Sequence, residues 1–198
     1  MTLVIACKSK DGIVIASDGK ASRSYPGLNR ATETIENAQK IYNYEKCSIL
    51  PYGDGLEDYH TFLEGFAESL NGTIDYESSI EKLQNYLSEE YMFLPPGVQF
   101  IGIILAGIDK DGNQQINAFM SNTGYIPRSS DKAYIHGGYT KIAYEIFDEV
   151  VGKDSLKDTA EVIQLAKRAI SETAKAFTAH VNNNITVKLI TSNGIISL

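Results

Sequence analysis

The chain has 198 residues, of which 43% are apolar and 22% are charged, an ordinary composition for a folded globular protein, and we expect one domain over residues 1–198. Its formal net charge of −7 disfavours electrostatic binding to nucleic acid or to an anionic membrane, so we expect neither as a partner. No stretch reaches the roughly 18 apolar residues of a membrane helix, and the N-terminus lacks the pattern of a signal peptide. We therefore expect a cytoplasmic protein.

The first predicted elements are two strands joined by a tight turn. Residues 3–7 (LVIAC) are all apolar, which is typical of a strand covered on both faces. Asp11-Gly12 is a hairpin turn sequence, and residues 13–17 (IVIAS) return as the second strand. This hairpin brings Asp18 back to the start of the chain.

The following segments alternate between polar chain, short strands and a helix. We interpret residues 23–34 as a polar, mobile segment and predict two short strands at 40–42 and 47–50. Apolar residues at three- and four-residue spacing predict an amphipathic helix over 59–70. Its apolar stripe requires a sheet or another helix to cover it.

A second helix and another pair of strands are predicted next. The helix lies between Asp75, which suits an N-cap, and Pro95, which disfavours helix at the residue before it. Residues 100–106 and 116–120, joined by a Lys-Asp-Gly-Asn turn, then predict a hairpin, and residues 134–136 a further short strand.

Two more helices and a final hairpin complete the predicted order. Apolar residues recur at helical spacing over 140–151 and 156–179, and three asparagines at 182–184 break the second pattern. Residues 185–191 and 195–198, joined by an Asn-Gly turn, predict the last hairpin. This order fits an α+β fold with two mainly antiparallel sheets between helix pairs, a four-layer α-β-β-α sandwich.

Two cysteines, Cys7 and Cys47, lie in apolar, strand-like segments. Neither belongs to a CxxC motif or a histidine-rich stretch, so no metal site is predicted. In a cytoplasmic protein the reduced form is the expected one, and we interpret both as buried thiols.

Four sequence features occur in order along nearly the whole chain. They are Thr2 ahead of the first strand, ASDGKAS at 16–22, Lys-Ile-Tyr at 40–42 and VKLITSNG at 187–194. No single motif is specific, but together they resemble the proteasome β subunits and the bacterial proteasome-like peptidases. These proteins are N-terminal nucleophile (Ntn) hydrolases, so the resemblance supports the four-layer sandwich.

The resemblance implies a threonine-type peptidase or amidohydrolase that acts on peptides or unfolded protein. A threonine hydroxyl needs a base, and an α-amine with a pKa of about 7.7–8.0 is a base on the same residue once Met1 is removed. Lys40 would lower the proton affinity of that amine, and Asp18 would hold Lys40 in position. The predicted catalytic residues are therefore Thr2, Asp18 and Lys40, with no metal or organic cofactor.

The resemblance also implies where substrate binds and how the chain assembles. It places Ala21 and Ser22 beside the substrate backbone. Because Pro51 has no N–H to stabilise an oxyanion, Gly53 is the nearest replacement. Proteins of this kind form rings, so we expect a homo-oligomeric ring.

Positions that depart from the family pattern keep other functions open. Gly138 stands where a supporting serine is expected, and Thr178 and Val181 stand where an aspartate and a serine are expected. The losses at Gly138, Thr178 and Pro51 favour a non-catalytic ring subunit, whereas the three predicted catalytic residues favour an enzyme. A transpeptidase, in which an amine instead of water resolves the acyl-enzyme, would use the same catalytic residues.

Overall fold

The computed structural model describes residues 2–24, 32–53, 66, 75–94, 100–129, 133–138, 140–151 and 156–198. Within those ranges the chain forms two five-stranded antiparallel sheets, a two-stranded sheet and three α-helices. This architecture confirms the predicted α+β class.

The first sheet contains the N-terminal hairpin at its centre. Its five strands, in spatial order, are β10 (Tyr134–Gly138), β1 (Leu3–Ser9), β2 (Gly12–Ser17), β11 (Thr186–Thr191) and β12 (Gly194–Ser197). The tight turn fixes the register, with Val4 opposite Ser17. Gly12 is required there, because a Cβ would lie 2.1 Å from the Ile190 carbonyl oxygen. The register returns the chain after β2 to the residues ahead of β1.

The second sheet is also antiparallel and follows the chain order. Its strands are β5 (Tyr42–Tyr44), β6 (Cys47–Gly53), β7 (Ile101–Ile108), β8 (Gln114–Met120) and β9 (Arg128–Ser129). The predicted strand at 40–42 begins later than expected, since Lys40 and Ile41 precede β5. Both side chains are buried there. Pro51 is tolerated in β6 because the pairing with β5 ends at Ile49.

A small third sheet lies where the sequence predicted a mobile segment. Strands β3 (Ala21–Ser24) and β4 (Thr32–Ile35) pair in antiparallel fashion. The prediction for 23–34 was therefore wrong at both ends, because polar residues pair through their backbones as readily as apolar ones and leave no hydrophobic pattern. Residues 25–31 lie outside the described residues.

In the described part of the chain three complete helices cover the sheets, and each is shorter than or close to its prediction. They are α1 (Tyr76–Glu90), α2 (Lys141–Val150) and α3 (Thr159–Ala176). Asp75 caps α1 as predicted, accepting a hydrogen bond from the Ser78 N–H at 2.7 Å. The helix predicted at 59–70 lies outside the described residues except for Phe66, which is helical and buried.

Three apolar clusters fill the spaces between the layers. Helices α2 and α3 pack on the outer face of the first sheet, α1 packs on the second, and a third cluster lies between the sheets. Strand β1 serves two clusters: Ile5 faces the helices, whereas Val4 and Ala6 face the second sheet. This double burial explains its continuous apolar sequence and confirms the four-layer α-β-β-α order.

Among the described residues, no helix combines the length and the apolar character needed to cross a lipid bilayer.

Candidate active site

The N-terminal hairpin brings Thr2 and Asp18 together at its open end. The ladder continues one step past the Val4–Ser17 pair, because the Asp18 N–H donates to the Leu3 carbonyl at 3.2 Å. In return the Asp18 carboxylate accepts the Leu3 N–H at 2.8 Å, and its same oxygen, Oδ1, accepts the Thr2 hydroxyl at 2.9 Å. Thr2 and Asp18 are both completely buried.

Lys40 completes this cluster from a different segment of the chain. Its ammonium donates to Asp18 Oδ1 at 2.7 Å and to the Lys20 carbonyl oxygen. The side chain is as buried as that of Asp18. Burial lowers the pKa of Lys40, and the adjacent Asp18 carboxylate only partly offsets this effect. The Lys40 cation therefore lies in a site where burial disfavours its charged form.

The Asp18 carboxylate is the centre of the cluster and accepts four hydrogen bonds. Three reach Oδ1, from Thr2, Leu3 and Lys40. The fourth, from the Lys20 N–H, reaches Oδ2 at 2.9 Å. Hydrogen bonds to an ionised group are stronger than neutral ones, so the carboxylate has one fixed orientation. The structure thus brings the three predicted catalytic residues together around a single oxygen.

The predicted substrate-binding residues lie on two different sheets. Ala21 and Ser22 begin β3, and Gly53 ends β6 opposite Ile101. Gly53 has a φ of +104°, and a Cβ there would lie 2.5 Å from the Phe100 carbonyl oxygen, so a glycine is needed for local reasons. Within the described ranges the structure gives no hydrogen bond from these three residues to Thr2.

An open cleft of about 540 Å³ borders the segment that carries Lys40. Its lining is polar and comes from residues 37–41 on one side and 184–186 on the other, with Gly19 and Lys188. The cleft therefore lies beside the Asp18–Lys40 pair, on the side of Gly19.

The residues that depart from the family pattern have structural explanations. Gly138 has a φ of +92°, and a Cβ there would lie 1.7 Å from the Thr2 carbonyl oxygen, so no serine fits this backbone. The Thr178 carbonyl accepts a hydrogen bond from the Lys20 ammonium at 2.8 Å. Val181 is buried in the cluster between the first sheet and its helices. Close packing therefore explains the absence of a hydroxyl at Gly138 and Val181, whereas Thr178 is exposed and contributes only its backbone carbonyl.

Two further residues were missed by the sequence analysis: Lys20, which contacts the cluster directly, and Asn182, which reaches it only through Gly19. Lys20 supplies both a donor to Asp18 and an acceptor to Lys40 through its backbone. Asn182 accepts the Gly19 N–H at 3.0 Å and donates to Glu36. The only sequence signal was the asparagine run at 182–184, which was interpreted as the end of a helix.

Comparison with known proteins identifies the family. No curated protein matches the sequence. A model of the proteasome subunit family matches residues 2–190. Among solved structures, the chain is similar to a mutant, designated Gly-1, of Anbu from Hyphomicrobium sp. strain MC1, with 14% identity, a TM-score of 0.74, and coverage of 100% of this chain and 85% of that chain.

At 14% identity, the likeness to the Anbu structure establishes the fold alone. The family match goes further, because it extends from the predicted nucleophile into β11 of the first sheet. The chain therefore belongs to the proteasome subunit family.

Proposed function

We propose that this protein is a threonine-type peptidase or amidohydrolase with Thr2 as its nucleophile after removal of Met1. Membership of the proteasome subunit family supports a proteasome-type peptidase in general. The observation that carries the finer proposal is the buried Asp18 Oδ1, which accepts hydrogen bonds from the Thr2 hydroxyl at 2.9 Å and the Lys40 ammonium at 2.7 Å.

The proposed reaction uses two groups of one residue. The free α-amine of Thr2 takes the proton from Oγ1, which forms a bond to the carbonyl carbon of the substrate amide. The C–N bond then breaks, and the ammonium returns its proton to the leaving amine. Water, deprotonated by the same amine, attacks the resulting ester and releases the acyl group, while Oγ1 regains a proton.

Lys40 and Asp18 have supporting roles in this proposal. The Lys40 cation lies close to the start of the chain, and a nearby positive charge lowers the proton affinity of an amine. Asp18 holds Lys40 and also fixes the Leu3 N–H, so it orients the residue that follows the nucleophile. Four hydrogen bonds stabilise the ionised form of Asp18, which makes it a poor proton acceptor, so the role of base falls to the α-amine.

We extend the proposal to the substrate, the assembly and the cell compartment. The substrates would be peptides or unfolded protein, contacted by Ala21, Ser22 and Gly53, and no metal or organic cofactor would take part. The chain would be one domain over residues 1–198 and would assemble as a homo-oligomeric ring in the cytoplasm. Cys7 and Cys47 are buried free thiols and form no disulfide with each other, which fits a reducing compartment.

One observation favours the alternative of a non-catalytic ring subunit. The Thr2 side chain is completely buried in the chain that begins with Met1, and a buried hydroxyl does not reach a substrate. Under the main proposal, removal of Met1 frees the α-amine of Thr2. A transpeptidase would share every catalytic residue and differ only in the group that resolves the acyl-enzyme.

The test is the intact mass of the untagged protein before and after incubation with a peptide epoxyketone, which reacts with a hydroxyl and a free α-amine on one residue. We expect a mass without Met1 that increases by one inhibitor. A mass that retains Met1 and gains no inhibitor would support the structural ring subunit instead.

Two variants connect that result to the proposed residues. Thr2→Ala and Lys40→Ala are each expected to abolish peptide hydrolysis, the first by removing the nucleophile and the second by removing the cation beside the amine. Size-exclusion chromatography and circular dichroism report whether each variant remains assembled and folded. Hydrolysis at the wild-type rate in both variants would contradict the proposal.

A further inference from the structure

Asn182 connects three segments that are distant in the sequence. It lies between α3 and β11, and its side-chain oxygen accepts the Gly19 N–H at 3.0 Å. Its amide nitrogen donates to the Glu36 carbonyl at 2.8 Å and to the Glu36 carboxylate at 2.7 Å. An asparagine side chain has two donor hydrogens and one acceptor oxygen, and all of these groups are used here.

Both partners of Asn182 are connected to Lys20. Gly19 directly precedes Lys20, and the Glu36 carboxylate lies 3.4 Å from the Lys20 ammonium. The Lys20 ammonium also donates to the Thr178 carbonyl, on the same turn region as Asn182. The hydrogen bonds of Asn182, the Lys20–Glu36 ion pair and the covalent link from Gly19 to Lys20 together form a closed ring through these four residues.

The packing leaves this ring little room to move. A Cβ at Gly19 would lie 2.9 Å from Asn184 Cβ and 3.0 Å from the Glu36 carbonyl oxygen. Asn184 repeats the contact, since its amide donates to the Glu36 carbonyl at 2.8 Å and to Asn37 at 2.9 Å. The segment on either side of Asp18 is therefore held against the asparagine turn.

The Lys20 carbonyl is the second hydrogen-bond acceptor of the buried Lys40 ammonium. Lys40 donates one hydrogen bond to Asp18 and one to the Lys20 carbonyl, and Lys40 is almost completely buried. A buried donor that loses its acceptor pays the full cost of desolvation, so a displaced Lys20 carbonyl would move the ammonium as well. The position of the Lys40 cation thus depends on the Lys20 carbonyl, and the ring fixes the segment that carries it.

We propose that Asn182 is a positioning residue that sets the place of the Lys40 cation relative to Thr2 by fixing the Gly19–Lys20 segment, directly through the Gly19 N–H and indirectly through Glu36. This inference rests on the proposed function of Thr2. Asn182 touches neither Thr2 nor Lys40 through any hydrogen bond in the described part of the chain, so its effect is indirect. It would alter the reaction step and leave the initial binding of substrate unchanged.

The experiment separates the rate of covalent reaction from reversible binding with a peptide epoxyketone on the full-length, assembled protein. For Asn182→Ala we expect a maximal inactivation rate roughly 10- to 100-fold below wild type, with an unchanged inhibition constant, because small misplacements of catalytic groups have effects of this size. The matched control is Asn183→Ala, an adjacent and exposed asparagine, which should react like wild type.

A second variant protects the test against misfolding. Asn182→Asp has the same size and keeps the acceptor for the Gly19 N–H, but it loses both donors and places a carboxylate against Glu36. It should also react slowly, and replacing Glu36 by Gln in the same chain should restore part of the rate by removing the repulsion. A purely structural role for Asn182 would lower the melting temperature and leave the rate of the folded fraction unchanged.

The outcomes distinguish this inference from the proposed function. If wild type does not react, or if Thr2→Ala reacts like wild type, the proposed function and this inference both fail. If wild type reacts, Thr2→Ala does not, and the folded Asn182 variants react at the wild-type rate, only the inference is overturned.

Discussion

Two lysine–aspartate pairs lie at opposite ends of the β1–β2 hairpin, and both have an Nζ–Oδ1 distance of 2.7 Å. At the turn, Lys10 pairs with Asp158, and their side chains are 61% and 68% exposed. At the open end, Lys40 pairs with Asp18, and both side chains are fully buried. The two pairs have the same chemistry and the same distance in different surroundings.

The different surroundings shift the pKa values of the two lysines in opposite directions. The hydrogen bond to Asp158 and its charge raise the pKa of Lys10, as expected for a cation beside an anion in water. Burial lowers the pKa of Lys40 more than Asp18 raises it. An exposed pair contributes little to stability, whereas a buried pair depends on each partner remaining in place. The distance alone therefore does not indicate what a pair contributes.

Replacing Asp18 by Ala should have the largest effect, because it leaves the Lys40 ammonium buried without a counter-charge. Breaking a buried pair costs about 3–5 kcal/mol, and we expect the free energy of unfolding to fall by this amount in urea denaturation. Asp158→Ala, at the other end of the hairpin, should cause no measurable change. Equal effects at the two ends would contradict the comparison.

A double variant tests whether the unpaired charge is the cause. In Asp18→Leu/Lys40→Met both charges are replaced by apolar side chains, and such replacements often restore stability. We expect urea denaturation to show that part of the lost stability returns, because the Leu3 and Lys20 N–H groups still lack their acceptor, while Thr2 remains unreactive towards an epoxyketone. Stability without reactivity would show that the buried pair serves the site and not the fold.

Gly138→Ala should have the next largest effect, because the new methyl group would displace the backbone of Thr2 at the open end of the hairpin. The added Cβ would meet the Thr2 carbonyl oxygen, and strain at a positive φ costs about 1–3 kcal/mol. We expect the melting temperature and the epoxyketone reaction rate both to fall. Gly112→Ala is the matched control, since Gly112 has a similar φ of +86° with open space around it, and it should leave the reaction rate unchanged.

A rise in pH above 9 should lower the free energy of unfolding, because buried groups resist deprotonation in the folded chain. Burial raises the pKa of Cys7 and of Cys47 from 9.0 to about 12, and that of Tyr52 from 10.0 to about 12. Between pH 9 and 12 the unfolded chain loses these protons and the folded chain keeps them, so the free energy of unfolding decreases. The lowered pKa of Lys40 acts in the opposite direction, but it is one group against several.

Urea denaturation between pH 8 and 11 measures this effect. The control is Cys7→Ala/Cys47→Ala, which should show a shallower decrease because the two thiols no longer titrate. A decrease of equal slope in the control would assign the alkaline sensitivity to other groups.

Lys10→Ala should have the smallest effect. The pair with Asp158 is exposed and screened by salt, so neither the melting temperature nor the reaction rate should change measurably. Thermal unfolding at low and high ionic strength checks this result. A variant that is clearly less stable than wild type at low ionic strength would mean that the turn of the hairpin depends on this pair.

The proximity of Thr2 and Asp18 followed from local sequence. An Asp-Gly turn sets the register of the hairpin, and the register alone places Asp18 opposite Leu3. Lys40 was assigned through the resemblance of its motif, since no local pattern connects it to the hairpin. The strand predicted at Lys40 in fact begins at Tyr42, because the lysine turns inwards to Asp18.

The Asn182 contacts were beyond the reach of sequence patterns. Asn182 and Gly19 are 163 positions apart, and polar turn residues carry no periodicity that indicates a partner. The pairing of β3 with β4 was missed for the same reason. Both features depend on which polar groups meet when the layers close.

By itself the sequence determined the order of the longer strands and of the three described helices, the hairpin that joins Thr2 to Asp18, and the apolar residues on both faces of the central strands. Hydrophobic periodicity and turn residues act over a few positions, so they are visible in any short segment. Only the tertiary structure decided that Lys40 is buried while Lys10 is exposed, and that Gly138 and Asn182 pack where they do. Burial depends on contacts between distant segments, and it is burial that gives two identical ion pairs opposite electrostatic character.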